Sequence, residues 1–110
     1  MPQAYFGTVA HTVVAGDTLY GIARKYNSTV HNILKFNTVP NPDLIRIGQI
    51  ITVPLSPPEA LIYTVKSGDS VYSIAKKHGT SMSNIEKYNY LSPPFIIYPG
   101  QQLAVTASLR

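Results

Sequence analysis

The chain contains two copies of one sequence pattern, and residue n of the first copy corresponds to residue n + 52 of the second. The carboxylates are the first candidates for chemistry, and they can be compared between the two copies. Hydrolysis of a glycosidic bond usually needs two carboxyl groups at a set separation. Asp17 and Asp43 would supply such a pair in the first copy, and Asp69 repeats Asp17. Phe95 replaces Asp43 in the second copy, so the pair is not repeated. The sequence therefore predicts that the chain is not an enzyme.

The histidines do not form a repeated site either. Each has a different residue as its counterpart in the other copy: Tyr63 for His11, Ser83 for His31 and Tyr26 for His78. The chain has no cysteine, and its sequence has no Ser–His–acid set, phosphate-binding loop or metal-binding spacing. We therefore expect no catalytic residue, no metal and no cofactor, and we interpret the histidines as surface residues at unrelated positions.

The repeat indicates two small domains rather than one. Thr12–Val53 aligns with Thr64–Val105 without a gap. Repeat architectures that share one core generally need three or more copies, so each of these two copies should fold by itself. The predicted boundaries are an N-terminal tail at 1–10, a first repeat at 11–54, a proline-rich linker at 55–62, a second repeat at 63–106 and a C-terminal tail at 107–110.

Charge and hydropathy argue against two classes of partner. The net charge is +4, but the nine basic residues are scattered, whereas a nucleic-acid-binding surface needs a clustered basic stripe. No segment approaches the ~18 apolar residues of a membrane span, and the first residues lack the basic and apolar regions of a secretory signal. A mildly basic surface favours residence near an acidic polymer such as a cell wall.

Each copy begins with a predicted strand and helix. The strand is placed at 12–14 and again at 64–66, and a Gly-Asp turn follows it. Four positions in each copy then recur at the helical spacing i, i+3, i+4, i+7: Leu19, Ile22, Ala23 and Tyr26, and Val71, Ile74, Ala75 and His78. Either residue of Asp17-Thr18 or Asp69-Ser70 could cap this helix. Asn27 and Gly79 should end it, because both residue types tolerate the left-handed conformation.

A second helix and a final strand complete each copy. The helix should begin after Ser28-Thr29 or Thr80-Ser81 and stop near Asn37 or Asn89, residues suited to a helix exit. Gly48-Gln49 and Gly100-Gln101 would then turn the chain into a half-buried strand. Because the two strands can pair only with each other, the predicted fold is α+β: two tandem small βααβ domains, each a two-stranded antiparallel sheet covered on one face by two helices.

Two tyrosines are the best candidates for ligand contact. Tyr20 and Tyr72 lie one residue past core positions, about 100° round the helix, and so outside the main core stripe. A ring with a hydroxyl suits an amphipathic partner, although packing beside a small core is an alternative role. Gly16-Asp17 and Gly68-Asp69 are also present in both copies and are further candidates for ligand contact. The alternative is a structural role, in which the glycine makes a turn and the aspartate caps the helix.

The repeated string resembles the LysM domain family. The matching elements are T-V-x-x-G-D-(T/S)-x-Y-x-I-A, then N-I-x-K-x-N, then I-x-x-G-Q-x-(I/L)-x-V, each present in both copies. The resemblance implies a βααβ fold that binds N-acetylglucosamine-containing polymers, such as peptidoglycan or chitin, in a shallow groove between two loops. The family often has Trp where this chain has Tyr20 and Tyr72, which leaves less contact area.

The resemblance also implies the residues of each groove. In the first repeat they are Gly16, Asp17, Thr18, Leu19 and Tyr20, with Pro42, Asp43, Leu44 and Ile45 opposite. In the second repeat they are Gly68, Asp69, Ser70, Val71 and Tyr72, with Pro94, Phe95, Ile96 and Ile97 opposite. Because the second loops differ between the copies, the two grooves are expected to differ in affinity or ligand length.

The resulting hypothesis is a non-catalytic module that binds N-acetylglucosamine-containing glycans at two sites and gains by avidity. It implies an extracellular or cell-wall location, with a spore or another non-classical location as an alternative because no signal segment is visible. A second hypothesis is an assembly module of a spore layer, phage or envelope complex, which would self-associate or bind a protein. A third makes the chain the targeting part of a cell-wall hydrolase.

Overall fold

The chain folds as two compact units that divide between Ser56 and Pro57. The structure, a computed structural model, describes residues 4–57 and 60–106. The predicted C-terminal tail at 107–110 lies outside the described residues. Among the described residues, no helix has the length and apolar character needed to cross a bilayer.

The first unit has the predicted βααβ order. Its elements are β1 (Thr8–Thr12), α1 (Leu19–Lys25), α2 (Val30–Phe36) and β2 (Ile50–Pro54). The two strands pair in antiparallel fashion, with Thr8 opposite Pro54 and Thr12 opposite Ile50. The pairing of the terminal strands with each other is therefore confirmed.

The second unit repeats this order. Its elements are β3 (Leu61–Thr64), α3 (Val71–His78), α4 (Met82–Tyr88) and β4 (Gln102–Val105). β3 and β4 are also antiparallel, with Leu61 opposite Val105 and Thr64 opposite Gln102. The two units thus have the same topology, and the predicted fold class is correct.

The first strand of each unit begins earlier than predicted. β1 takes Thr8, Val9 and Ala10 from the predicted tail, and β3 takes residues 61 and 62 from the predicted linker. The strands cannot extend to 14 or 66, because the N–H groups of Val14 and Lys66 bond the aspartate side chains of the following turns. In the first unit, the pairing also extends toward the N-terminus, where Leu55 N–H donates to Gly7 O at 2.9 Å.

Each unit has its own small hydrophobic core. The buried cluster of the first unit is Val13, Leu19, Ile22, Ala23, Ile33, Ile51 and Val53. That of the second unit is Val65, Val71, Ile74, Ala75, Ile85, Leu103 and Val105. Every member of one cluster has its counterpart 52 residues away in the other. Because the cores are equivalent residue by residue, sequence differences between the copies must act mainly outside them.

The helices begin at hydroxyl residues rather than at the aspartates. Thr18 caps α1 and Ser70 caps α3, each accepting a hydrogen bond from the backbone N–H three residues on. Thr29 and Ser81 cap α2 and α4 in the same way. This capping satisfies backbone donors that have no partner within the helix. Asp17 and Asp69 are thereby left for another role.

The first helix of each unit ends as predicted, in a left-handed residue. Asn27 has φ of 54° and Gly79 has φ of 66°. In both units the N–H that follows bonds back into the helix, from Ser28 to Ala23 O and from Thr80 to Ala75 O. Two different residue types therefore make the same turn, because both tolerate positive φ.

The second helix of each unit ends at an asparagine, as predicted, and this asparagine has a further role. Asn37 and Asn89 are not left-handed, with φ of −137° and −111°. The Asn89 amide instead donates to Ile85 O and Ala104 O and accepts from Ala104 N–H, at 2.8, 2.9 and 2.6 Å. Asn37 makes the same three bonds, to Ile33 O and to both backbone groups of Thr52. These side chains tie the helix end to the free edge of the last strand.

Candidate functional site

The first unit carries a shallow groove beside the start of α1, which we call groove 1. It encloses about 260 Å³. It is lined by Asp17, Thr18, Leu19, Tyr20, Val30, Pro42, Asp43 and Ile45. The loop after β1 thus forms one wall, and the loop before β2 forms the other.

The second unit carries an equivalent groove beside the start of α3, which we call groove 2. It encloses about 390 Å³. It is lined by Asp69, Ser70, Val71, Tyr72, Met82, Glu86, Pro94, Phe95, Ile96 and Ile97. Groove 2 is therefore larger than groove 1 and includes two residues of its second helix.

The structure brings together most of the residues named from the sequence. Three of those residues do not line the grooves: Gly16, Gly68 and Leu44, whose side chain is 70% exposed. Three lining residues were missed, namely Val30, Met82 and Glu86. All three lie on the second helix of their unit, and Met82 and Glu86 are one turn apart on the same face. Helical spacing was the signal that could have revealed them.

Glycine sets the turn that positions the first wall of each groove. Gly16 has φ of 89° and Gly68 has φ of 90°. Residues with a β-carbon rarely adopt this region, so glycine is required for the turn. The turn closes through Asp17 N–H, which donates to Val14 O, and through Asp69 N–H, which donates to Lys66 O. The glycines thus shape the groove without lining it.

The aspartates after these glycines hold the turn through their side chains. Asp17 Oδ2 accepts from Val14 N–H and is bonded to His11 Nε2, both at 2.9 Å. Asp69 Oδ2 accepts from Lys66 N–H at 2.8 Å and from the Tyr63 hydroxyl at 2.6 Å. One oxygen of each carboxylate is thus engaged in both copies. We conclude that the repeated aspartate is at least partly structural.

Two of the histidines occupy related positions, contrary to the sequence interpretation. In the first unit, the His11 ring meets the Tyr26 ring edge-on at 5.5 Å. In the second unit, Tyr63 and His78 make the same contact at 5.1 Å with the same interplanar angle of 71°. The two copies therefore contain one His–Tyr pair with its members exchanged. Compared position by position, the exchange looked like two unrelated substitutions.

The exchange preserves the bond to the aspartate. His11 reaches Asp17 through Nε2 and Tyr26 Oη through Nδ1, at 2.9 and 2.8 Å. A neutral ring with its proton on Nε2 satisfies both contacts, because Nδ1 can then accept from the tyrosine hydroxyl. In the second unit, the Tyr63 hydroxyl takes the place of Nε2–H as donor to Asp69. Either residue can thus hold the turn.

Replacing Tyr63 by phenylalanine is expected to raise the pKa of Asp69. The Tyr63 hydrogen bond is the largest cause that lowers this pKa below its usual 3.8, followed by the Lys66 N–H bond. A carboxyl whose pKa is lower in the folded state stabilises the fold above its unfolded pKa, and this stabilisation is lost as the pH falls through the folded pKa. The Tyr63→Phe second unit should therefore begin to unfold at a higher pH during acidification.

Carboxyl-carbon chemical shifts followed by NMR against pH would measure this effect. Asp17 is the internal control, because His11 and Val14 N–H also lower its pKa and neither is altered. An unchanged Asp69 titration in the Tyr63→Phe variant would contradict the assigned role of the hydroxyl.

The two groove tyrosines are surface residues, as expected from their position outside the core stripe. Tyr20 is 49% exposed and Tyr72 is 60% exposed. Each lies near a cation one turn further along its helix, with Arg24 5.7 Å from the Tyr20 ring centroid and Lys76 6.0 Å from that of Tyr72. These rings are available to a partner that enters the groove.

The opposite walls differ in backbone and in side chain. Phe95 has φ of 59°, an unusual value for a bulky residue, and its N–H donates to Ser92 O at 2.8 Å. Its counterpart Asp43 is exposed, and its N–H donates to the side chain of Asn41 at 3.0 Å. Groove 2 thus has an aromatic wall where groove 1 has a carboxylate.

Each groove combines an aromatic ring, aliphatic side chains and a few polar groups. Such a lining suits a partner with apolar faces and polar edges. Within the part of the chain that the structure describes, no three His, Asp or Glu residues are grouped so as to hold a metal ion. Recognition of an amphipathic ligand is the chemistry that the arrangement supports best.

Comparison with known proteins identifies the repeats. Residues 11–54 and residues 63–106 each match the LysM domain. The chain is 36% identical over 99 residues to the secreted LysM effector ECP6 of Passalora fulva, a match that covers 86% of this chain and 43% of that protein.

Bacterial relatives have similar identity. The chain is 39% identical over 109 residues to the N-acetylmuramoyl-L-alanine amidase sle1 of Staphylococcus saprophyticus, covering 87% of this chain and 33% of that protein. It is 34% identical over 107 residues to the probable peptidoglycan endopeptidase LytE of Bacillus subtilis, covering 86% and 31%. The chain spans less than half the length of each of these relatives.

Proposed function

Because the chain belongs to the LysM domain family, with one domain at 11–54 and another at 63–106, we propose that it binds N-acetylglucosamine-containing glycans without cleaving them. The ligand would lie in grooves 1 and 2. Peptidoglycan and chitin both present the same N-acetyl face and are both included in the proposal.

The observation that carries this proposal is that the same two loops meet in both repeats to form an open groove. An acetamido group offers one N–H, one C=O and one methyl group. Backbone groups in the loops can bond the first two, and Ile45 or Ile97 can receive the methyl group. Tyr20 and Tyr72 would contact the apolar face of a sugar ring.

The acids of the grooves support binding rather than hydrolysis. Asp17 and Asp69 are repeated, but one oxygen of each is engaged in holding a turn. The remaining acids, Asp43 and Glu86, stand at different positions of the repeat. If both repeats hydrolysed glycans, each would need two carboxyl groups at the same separation, one as general acid and one as general base.

The names of the relatives support a wall polymer as the partner. By name, one relative is a secreted LysM effector, one is an N-acetylmuramoyl-L-alanine amidase and one is a probable peptidoglycan endopeptidase. We propose that this chain also acts outside the cell or at a wall. Since it spans about a third of the two bacterial enzymes, it would act there as the part of such a protein that attaches it to the glycan.

The affinity for one polymer that occupies both grooves would be raised by the effective concentration of the second groove. A single shallow groove buries little of its ligand and should bind weakly on its own. Linked sites can exceed the affinity of either site by roughly 10²–10⁴ when the connection lets both engage one ligand. The proposal therefore predicts much tighter binding to long glycans than to tetramers.

Sedimentation with purified peptidoglycan and with chitin tests the proposal. We expect the protein to sediment with at least one of them and to be released by tetra-N-acetylchitotetraose at millimolar concentration. Cellulose, which lacks the acetamido group, is the control polymer. Retention in the supernatant with both acetylated polymers, together with self-association on size exclusion, would contradict the proposal and favour an assembly role.

A further inference from the structure

Groove 2 contains a carboxylate, that of Glu86, at a position where groove 1 has none. Glu86 lies on α4, one turn after Met82, and both line the groove. The corresponding residue of the first unit is Leu34, which packs against the core of that unit. The two grooves therefore differ in charge at a position set by the second helix.

The Glu86 carboxylate is half-buried and unpaired. Among residues 4–57 and 60–106, no hydrogen bond or ion pair joins its side chain to another group. The neighbouring lysine, Lys87, has its ammonium group 4.9 Å from the Tyr88 ring centroid. The other carboxylate of groove 2, Asp69, already accepts from Tyr63 and Lys66. Glu86 is thus the acid of this groove that is free to meet a ligand.

We propose that Glu86 makes groove 2 selective for glycans in which a glucosamine unit carries a free amine. This inference rests on the proposed glycan-binding function and specifies the ligand of one groove. A protonated amine offers three N–H donors and a positive charge, whereas an acetamido group offers one N–H and a methyl group. A carboxylate pairs with the former through charge-assisted hydrogen bonds.

The position of Glu86 strengthens the pairing relative to the acid of groove 1. Asp43 is exposed at the tip of its loop, where water and salt screen its charge. Glu86 is half-buried, and attraction between charges is stronger where water is reduced.

Titration of the two grooves with a matched pair of tetramers tests this inference. One tetramer is fully N-acetylated, and the other has a single internal glucosamine. The titrations are run at a pH of about 5.5, at which an ordinary amine is protonated. Amide shifts followed by NMR report groove 1 and groove 2 separately in the same sample.

The quantity compared is the affinity for the glucosamine tetramer divided by the affinity for the fully acetylated tetramer. We expect this ratio to be roughly fivefold higher in groove 2 than in groove 1, the upper range for an exposed ion pair. The variant Glu86→Gln keeps the shape of the side chain and should abolish this preference. Glu86→Leu, which copies the first repeat, should do the same and also serves if the glutamine variant folds poorly. The signals of groove 1 should not change in either variant.

Equal tetramer preferences in the two grooves, or a preference that survives Glu86→Gln, would overturn the inference. In that case binding of the fully acetylated tetramer would leave the proposed function intact. If neither tetramer shifted the signals of either groove, both proposals would be wrong.

Discussion

Replacing Asn89 by alanine is expected to unfold the second repeat and to leave the first repeat folded. The Asn89 side chain is 1% exposed and makes three hydrogen bonds that join α4 to the edge of β4. Without it, Ala104 N–H loses its partner in a buried site, which costs about 1–3 kcal/mol for each such group. A domain of about 45 residues without disulfides rarely has more than ~3–5 kcal/mol of stability. Loss of this one amide can therefore exceed what the repeat has available.

Amide signals that report each repeat separately would measure this effect. Asn37→Ala is the matched variant in the first repeat, and a smaller loss is expected there because Asn37 is only half-buried. Asn89→Asp should also destabilise, since a carboxylate cannot donate to the carbonyls of Ile85 and Ala104. If the Asn89→Ala variant kept the thermal midpoint of the unaltered second repeat, the bridging role would be wrong.

Replacing Tyr20 and Tyr72 together by alanine is expected to abolish most glycan binding without unfolding either repeat. Both rings are about half exposed, so little of the core depends on them. Contact with a sugar face would bury much of each ring, and its loss should reduce affinity roughly tenfold per groove. On a long polymer that engages both grooves, the two losses should multiply.

Two further variants identify the cause of that loss. Tyr20→Phe with Tyr72→Phe keeps the rings and should retain most of the affinity if ring contact dominates. Tyr98→Ala removes a tyrosine that is 64% exposed and does not line groove 2, so it should bind as the unaltered protein does. Unchanged affinity in the Tyr20→Ala, Tyr72→Ala protein would exclude both rings from the binding site.

The parts of the fold that could be predicted from the sequence are those that depend on local residue type. The helical spacing of Leu19, Ile22 and Ala23 identified one side of a core that is repeated in full. Tolerance of positive φ explained why Asn27 and Gly79 are equivalent. Such properties belong to single residues and their near neighbours, so they can be read without knowing the tertiary contacts.

The parts that were missed depend on contacts across the chain. Asn37 ends a helix as predicted, but the bonds of its amide to a strand fifteen residues away were not predicted. The exchange of His11–Tyr26 for Tyr63–His78 is visible only once the two rings are known to touch. Side chains that act over such distances leave no periodic signal in one sequence.

The candidate site shows the same division. The loop residues could be assigned by resemblance to a family, since they follow short motifs. Glu86 lines groove 2 because α4 presents it next to Met82, and its counterpart Leu34 turns to the core instead. The difference between the second loops was expected from the sequence, whereas the difference at Glu86 was recognised only in the structure.

The most direct test of glycan binding by two grooves is an NMR titration of the whole chain with tetra-N-acetylchitotetraose. We predict that the amide signals that shift will map to the loops and helix starts around Thr18 and Tyr20, and to those around Ser70 and Tyr72. Shifts confined to residues outside grooves 1 and 2, or no shifts at millimolar sugar, would contradict it.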